Sequence, residues 1–205
     1  MDTHKKTKEQ GFTLIELLVS IGIFFIITAL VFVNQQRFGG TILLTNLAYD
    51  VALTIRQAQV YGISTKVSAG NSFSHGYGIH FAGNDSFILF VDLDNSDSYI
   101  TPSGPPSDDG TKCFAGTECL NFYKVSKGNT ISRFCGRNDC SGAGVSDLAS
   151  LDIIFYRPFP EPNPIRGFKQ NGASQDYNDA SIILTSPQGL TKTVTVLKSG
   201  QISIR

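Results

Sequence analysis

The residues with the most explicit chemistry lie close to the amino terminus, in the run Gly11-Phe12-Thr13-Leu14-Ile15-Glu16. Glu16 is the only charged residue between Phe12 and Val33, in a stretch reading FTLIELLVSIGIFFIITALVFV. A carboxylate placed in hydrocarbon costs a few kcal/mol, so such a residue has either a partner or a functional task. An amine is the natural partner. The plainer alternative puts Glu16 at the membrane edge, near the amino end of its own helix, where the helix dipole favours negative charge.

Three further constellations carry possible chemistry. Asp92, Asp94 and Asp97, with Ser96 and Ser98 between and after them, place oxygen ligands as in the opening of a calcium loop. The glycine and the closing glutamate of such a loop are missing from their expected positions, so a solvated turn is preferred over a calcium site. The four cysteines form two close pairs, Cys113 with Cys119 and Cys135 with Cys140, in a region rich in Gly, Asn and Ser. An oxidising compartment and two disulfides fit them best. Three connectivities are open, of which the two local pairs are preferred; a zinc site asks for tighter spacing in each pair. Around the cysteines lie Lys112, Lys124, Lys127, Arg133 and Arg137, interleaved with Phe114, Phe122, Tyr123 and Phe134. Basic and aromatic residues together are what a groove for a nucleic-acid backbone needs. A solvated face above core aromatics is the preferred alternative. His75 and His80 have no acid or cysteine at ligand spacing along the chain, and no nucleophile-elbow, phosphate-loop or zinc-helix motif is present. No catalysis is expected.

The elements that must position these residues follow from patterning. At about 1.5 Å per residue, a helix over 12–33 covers roughly 33 Å, enough to cross a bilayer. It is too long for a secretory signal core, and no small-residue cleavage site follows it. Lys5, Lys6 and Lys8 precede it and Arg37 is the nearest base after it, so residues 1–11 stay in the cytoplasm and the remainder is exported. Gly39-Gly40 marks a point where the helix bends or resumes. Beyond it Leu44, Leu47, Val51, Ile55 and Ala58 recur at three and four residues, giving residues 34–62 an amphipathic helical continuation.

Residues 63–205 have the texture of a β-rich head, with short runs of Val, Ile, Phe, Tyr and Thr cut by Gly, Asn, Asp and Pro. Strands are expected at 64–69, 76–82, 86–92, 121–126, 130–134, 151–156, 180–185, 191–197 and 201–204. Hairpin turns are expected at Gly83-Asn84-Asp85 and Lys198-Ser199-Gly200. Long loops are expected at 95–110 and 136–150, and the proline-rich stretch 158–179 reads as turns or extended backbone. The fold class is therefore α+β, with a long amino-terminal helix packed on an antiparallel sheet. Charged residues make up 17% of the 205 and the formal net charge is zero, so no whole-chain field points to nucleic acid or to an acidic partner.

The leader, the Gly11-Phe12 junction, Glu16 and the apolar run together resemble the amino-terminal signal of the type IV pilin and pseudopilin superfamily. The resemblance implies that a prepilin peptidase cuts between Gly11 and Phe12 and methylates the new amino terminus. It also implies that Glu16, fifth in the mature chain, neutralises that amine on a neighbouring subunit. The chain would then be a single-pass protein of the bacterial inner membrane with its head outside the cytoplasm, partnered by the peptidase and by other pilin subunits. The head resembles, more diffusely, the GspH/FimT minor pseudopilins through Ala52-Leu53-Thr54-Ile55-Arg56-Gln57-Ala58, Phe87 to Asp92, and Val194 to Ile202. Some members of that group bind DNA. Many major pilins carry a proline within the apolar helix, and none lies between Phe12 and Asn34 here, which favours a minor or pseudopilin subunit.

Overall fold

The structure is a computed structural model describing residues 11–64, 75–100, 113, 117–136, 140 and 148–205; for residues 33–38 the description is confined to the backbone. The leader 1–10, most of the expected strand at 64–69, much of the two long loops, and Arg137 lie outside the described residues. The chain divides into two compact units, Met1–Gly39 and Gly40–Arg205.

One helix, α1 (Leu14–Ile63), begins the described chain. Backbone hydrogen bonding continues through Gly39 and Gly40, where the paired glycines had suggested a break; the division between the two units falls there instead. In the head, α1 buries Leu44, Ala48, Val51, Ile55 and Ala58, at alternating spacings of four and three. Ala48 takes the fully buried place expected of Leu47, which packs at the margin of the core. Full burial of Leu44, Val51 and Ile55 contributes about 2 kcal/mol each. Gln59 fixes the end of the helix, its Nε2 donating to the carbonyls of Pro160 at 2.5 Å and Gly200 at 3.2 Å.

Ten strands follow: β1 (Gly76–Ala82), β2 (Ser86–Asp92), β3 (Cys119–Lys124), β4 (Thr130–Cys135), β5 (Leu148–Phe155), β6 (Pro162–Lys169), β7 (Ser174–Tyr177), β8 (Asp179–Thr185), β9 (Thr191–Leu197) and β10 (Ile202–Ile204). They form two antiparallel sheets, ordered β3-β2-β1-β5-β6-β7 and β10-β9-β8-β4. The fold is α+β and pilin-like, as expected, with the head divided between two sheets. Both pack on α1 through one core that includes Ile79, Phe81, Leu151 and Ile153 from the first sheet and Ile131, Ile182 and Val194 from the second.

The expected turns at Gly83 and Gly200 close β1–β2 and β9–β10, and both glycines have positive φ, 74° and 79°, a region open to glycine at little cost. The proline-rich stretch is extended backbone, as one of its two readings had it, but regular: it forms the hairpin β6–β7. Pro162 begins β6, where a missing N–H matters least. Asn163 and Pro164 lie between the pairs Phe155↔Pro162 and Ile153↔Ile165, so two residues face Ile154 alone and the proline falls at an irregularity in the ladder.

One face of the six-stranded sheet meets the core; the other carries the polar residues of functional interest. Cross-strand register aligns Phe122, Ile88, His80, Asp152, Arg166 and Asp176 in one row across that outer face.

Candidate functional site

The amino-terminal site is built from a helix start. Thr13 precedes the first helical residue; its Oγ1 accepts a hydrogen bond from the Glu16 N–H at 3.3 Å, and its carbonyl accepts from Leu17 at 3.2 Å. Thr13 is thus the amino-terminal cap, and Thr-x-x-Glu has the spacing of a capping box, with the acid in the first turn. The adjoining stretch Leu14–Phe32 is long and apolar enough to cross a membrane, and none of it is buried within the chain. Its two hydroxyl side chains satisfy themselves: Ser20 Oγ donates to the Glu16 carbonyl at 2.8 Å and Thr28 Oγ1 to the Phe24 carbonyl at 2.7 Å. Such bonds within one helix remove the need for water in hydrocarbon. Glu16 differs. Among the described residues, nothing partners its carboxylate.

Residues 6–32 match the prokaryotic N-terminal methylation motif. No curated protein and no solved structure matches the chain. The methylation motif marks a type IV pilin-like substrate of prepilin peptidase, and with it the exposed apolar helix reads as a membrane anchor. The motif spans Gly11, Phe12 and Glu16, and ends at Phe32, the last residue of the apolar stretch.

Beyond the motif, the head holds an acidic site on the outer face of the six-stranded sheet. Asp92 ends β2 and is fully buried. Its Oδ1 accepts from the Ser96 N–H at 3.1 Å, and its Oδ2 accepts from the Asp97 N–H at 3.0 Å and the Tyr156 hydroxyl at 2.5 Å. Glu118, just before β3, takes the Leu93 N–H at 3.0 Å on one oxygen and the Ile100 N–H at 2.9 Å on the other. Asp152, fully buried on β5, takes the Tyr99 N–H at 3.1 Å and meets His80 Nδ1 at 2.5 Å. Three buried carboxylates therefore hold the segment 93–100 by its backbone amides. Arg166 holds the same segment from the other side, donating to the Ser96 carbonyl at 3.1 Å.

The electrostatics follow burial. Desolvation raises the Asp92 carboxyl above its ordinary value, outweighing the Tyr156 hydroxyl and the backbone amides that lower it. Glu118 is raised for the same reason, against its two amide donors. Asp94 is lowered, chiefly by hydrogen bonding from the Ser96 side chain. The Tyr156 phenol is raised by burial and by Asp92 beside it.

The candidate calcium triad Asp92, Asp94 and Asp97 is rearranged. Asp92 and Asp94 meet Glu118, with one oxygen from each within 4.8 Å of the others. Asp97 turns to the Tyr156 hydroxyl at 3.0 Å and to Arg166 at 3.7 Å. Calcium takes six to eight oxygens, and Asp92 and Glu118 already spend theirs on N–H and O–H donors. Glu118, Tyr156 and Arg166 lie outside the 92–98 motif in sequence. His80 has its acid after all, 72 residues away, brought opposite by the β1–β5 register.

The cysteines are bonded as the two local pairs, Cys113–Cys119 and Cys135–Cys140. The first includes Cys119, the residue after Glu118 at the start of β3. The basic residues separate. Lys124 and Lys127 line one cavity together with Asp50, whereas Arg133 lies on β4 in the other sheet, 3.5 Å from the Cys140 carbonyl. Phe134 is buried in the core, and Tyr123 stacks on Phe87 with centroids 4.9 Å apart.

Proposed function

We propose that this chain is a minor pilin or pseudopilin of the GspH/FimT kind, a structural subunit of a type IV pilus or of a type II secretion pseudopilus. Prepilin peptidase cuts between Gly11 and Phe12 and methylates the Phe12 amine. The matured chain stays in the inner membrane through residues 12–33, with the head outside the cytoplasm, until it is drawn into a filament. There the Glu16 carboxylate meets the Phe12 amine of a neighbouring subunit, and each neutralises a charge that hydrocarbon tolerates poorly.

The observation that carries this reading is the state of Glu16. The span's hydroxyls are satisfied within the helix, its apolar side chains are exposed, and its one acid has no partner among the described residues. Both the surface and the charge are suited to contact with other copies of such a helix. The two disulfides of the head suit an exported compartment.

Co-expression with a prepilin peptidase tests the reading. The mature chain should begin at N-methylated Phe12, and Gly11→Ala should retain the leader. A chain that keeps its leader in the presence of active peptidase would make the span a static anchor for a surface-binding head.

A further inference from the structure

Along the head part of α1, between the helix and β3, runs a groove formed by two adjoining cavities of about 420 and 230 Å³ that share Leu47, Asp50 and Lys124. One end is largely apolar, walled by Leu53, Phe87 and Tyr123. The other is polar and holds Lys127 and Asn129. Asn129 is only 7% exposed, and its Oδ1 is buried with no hydrogen-bond partner among the described residues. A buried acceptor left unpaired is costly, so this atom calls for a donor from outside the chain.

The sheet side of the groove is an edge. β3 ends the six-stranded order, with only β2 beside it among the described residues. The Val125 N–H donates to the Asp85 carbonyl at 2.7 Å, and hydrogen-bonded positions alternate along an antiparallel pair. Lys124 and Phe122, paired with Ser86 and Ile88, therefore turn their backbone N–H and C=O groups to the open side. An extended peptide is the ligand whose backbone matches such an edge. Exposed Lys124 and Lys127 select its charge. Asp50 on the facing helix opposes a continuous run of phosphates, which disfavours a nucleic-acid backbone.

We infer that this groove docks an extended segment of a partner protein, carrying alternate apolar and acidic side chains, by addition to the β3 edge. The apolar side chains lie over Phe87 and Tyr123, an acid lies between Lys124 and Lys127, and a donor of the segment satisfies Asn129 Oδ1. This docking is independent of the filament assignment and of Glu16.

The test uses the full ¹⁵N-labelled chain in detergent micelles and a capped hexapeptide alternating valine and glutamate. The peptide should shift the Asn129 side-chain amide saturably and slow hydrogen exchange at Phe122 and Lys124. The double variant Lys124→Glu, Lys127→Glu should bind it about tenfold more weakly or worse, and should instead bind a valine–lysine hexapeptide. Both lysines are exposed, and an unchanged thermal melt shows that the variant is folded. The inference is overturned by any of four results: no saturable shift, equal binding of a valine–glutamine hexapeptide, stronger shifts from single-stranded oligothymidylate, or the same protection arising without peptide as protein concentration rises. The last would make the edge a contact between copies of this chain.

Discussion

Glu16 and Asp92 are both carboxylates that adjoin runs of apolar residues, and they differ in what reaches them. Asp92 is fully buried and takes three donors from its own chain, two backbone amides and the Tyr156 hydroxyl. Glu16 lies in an exposed helix and takes none among the described residues. A carboxylate saturated by its own fold has a local task, here to hold the segment 93–100. One left unsatisfied on an apolar element has its counterpart in another molecule. Composition hides the distinction, because each acid adjoins a run of Val, Ile, Leu and Phe.

Exchanging the two losses tests the comparison most severely. Under the proposed assembly, Glu16→Ala leaves the Phe12 amine of the neighbour without its counter-charge, a loss of about 3 kcal/mol. Incorporation into filaments should fall about a hundredfold, measured as subunit recovered in the sheared filament fraction. The melting temperature of the head should stay unchanged. If the head melts earlier as well, Glu16 has an intrachain role and the contrast fails.

Asp92→Ala should do the reverse. It removes three hydrogen bonds, stranding the Asp97 amide and leaving the Ser96 amide and the Tyr156 hydroxyl only their second acceptors, Asp94 and Asp97, at a cost of about 3 kcal/mol in all. For a chain of this size that lowers the melting temperature by roughly 10 °C. Processing between Gly11 and Phe12 should continue, as judged by the mature amino terminus. A variant that melts like the parent would mean that the segment is held mainly by Glu118, Asp152 and Arg166.

How far the sequence reveals these sites depends on the distance over which each is assembled. The amino-terminal site is legible because Gly11, Phe12, Thr13 and Glu16 are contiguous, and a helix start needs only neighbours. The turns at Gly83 and Gly200 are legible for the same reason. The acidic site is only half legible. Asp92 and Asp94 are two residues apart in sequence, but Glu118 and Asp152 reach them through sheet register, and register depends on every strand between. Asp152 does leave a trace, since it is an acid flanked by Leu151 and Ile153, with all three fully buried. The β6–β7 hairpin was hidden by its prolines, whose positions at a strand start and at a ladder irregularity can be recognised only once β5 is in place beside them.

The pH dependence of the head is a smaller effect that sharpens the same contrast. Asp92 and Glu118 are raised above their ordinary values of 3.8 and 4.5, so the folded head holds protons there that the unfolded chain has released. Their contribution is fully present below those values and is lost as pH rises through the raised folded pKa values. Asp94 has the opposite sign: lowered from 3.8, it contributes stability above that value, which is lost as pH falls through its folded pKa. Carboxyl ¹³C titration of the full chain should show Asp92 and Glu118 titrating above, and Asp94 below, their ordinary values. Asp92 titrating low would mean that its three donors, and not burial, dominate its environment.

The smallest expected effect is that of calcium. Asp92, Asp94 and Glu118 lie close enough to share an ion, but Asp92 and Glu118 direct their oxygens at the amides of 93–100 and at Tyr156. An ion would compete with those donors for the same lone pairs, and the Asp97 carboxylate, the next acid in sequence, is turned elsewhere, to Tyr156 and Arg166. Millimolar calcium should therefore leave the melting temperature of the head within about 1 °C of its value in chelator, a change of well under 1 kcal/mol. A rise of several degrees, abolished by Glu118→Gln, would place Asp92 nearer to Glu16, as an acid whose final partner is not part of its own chain.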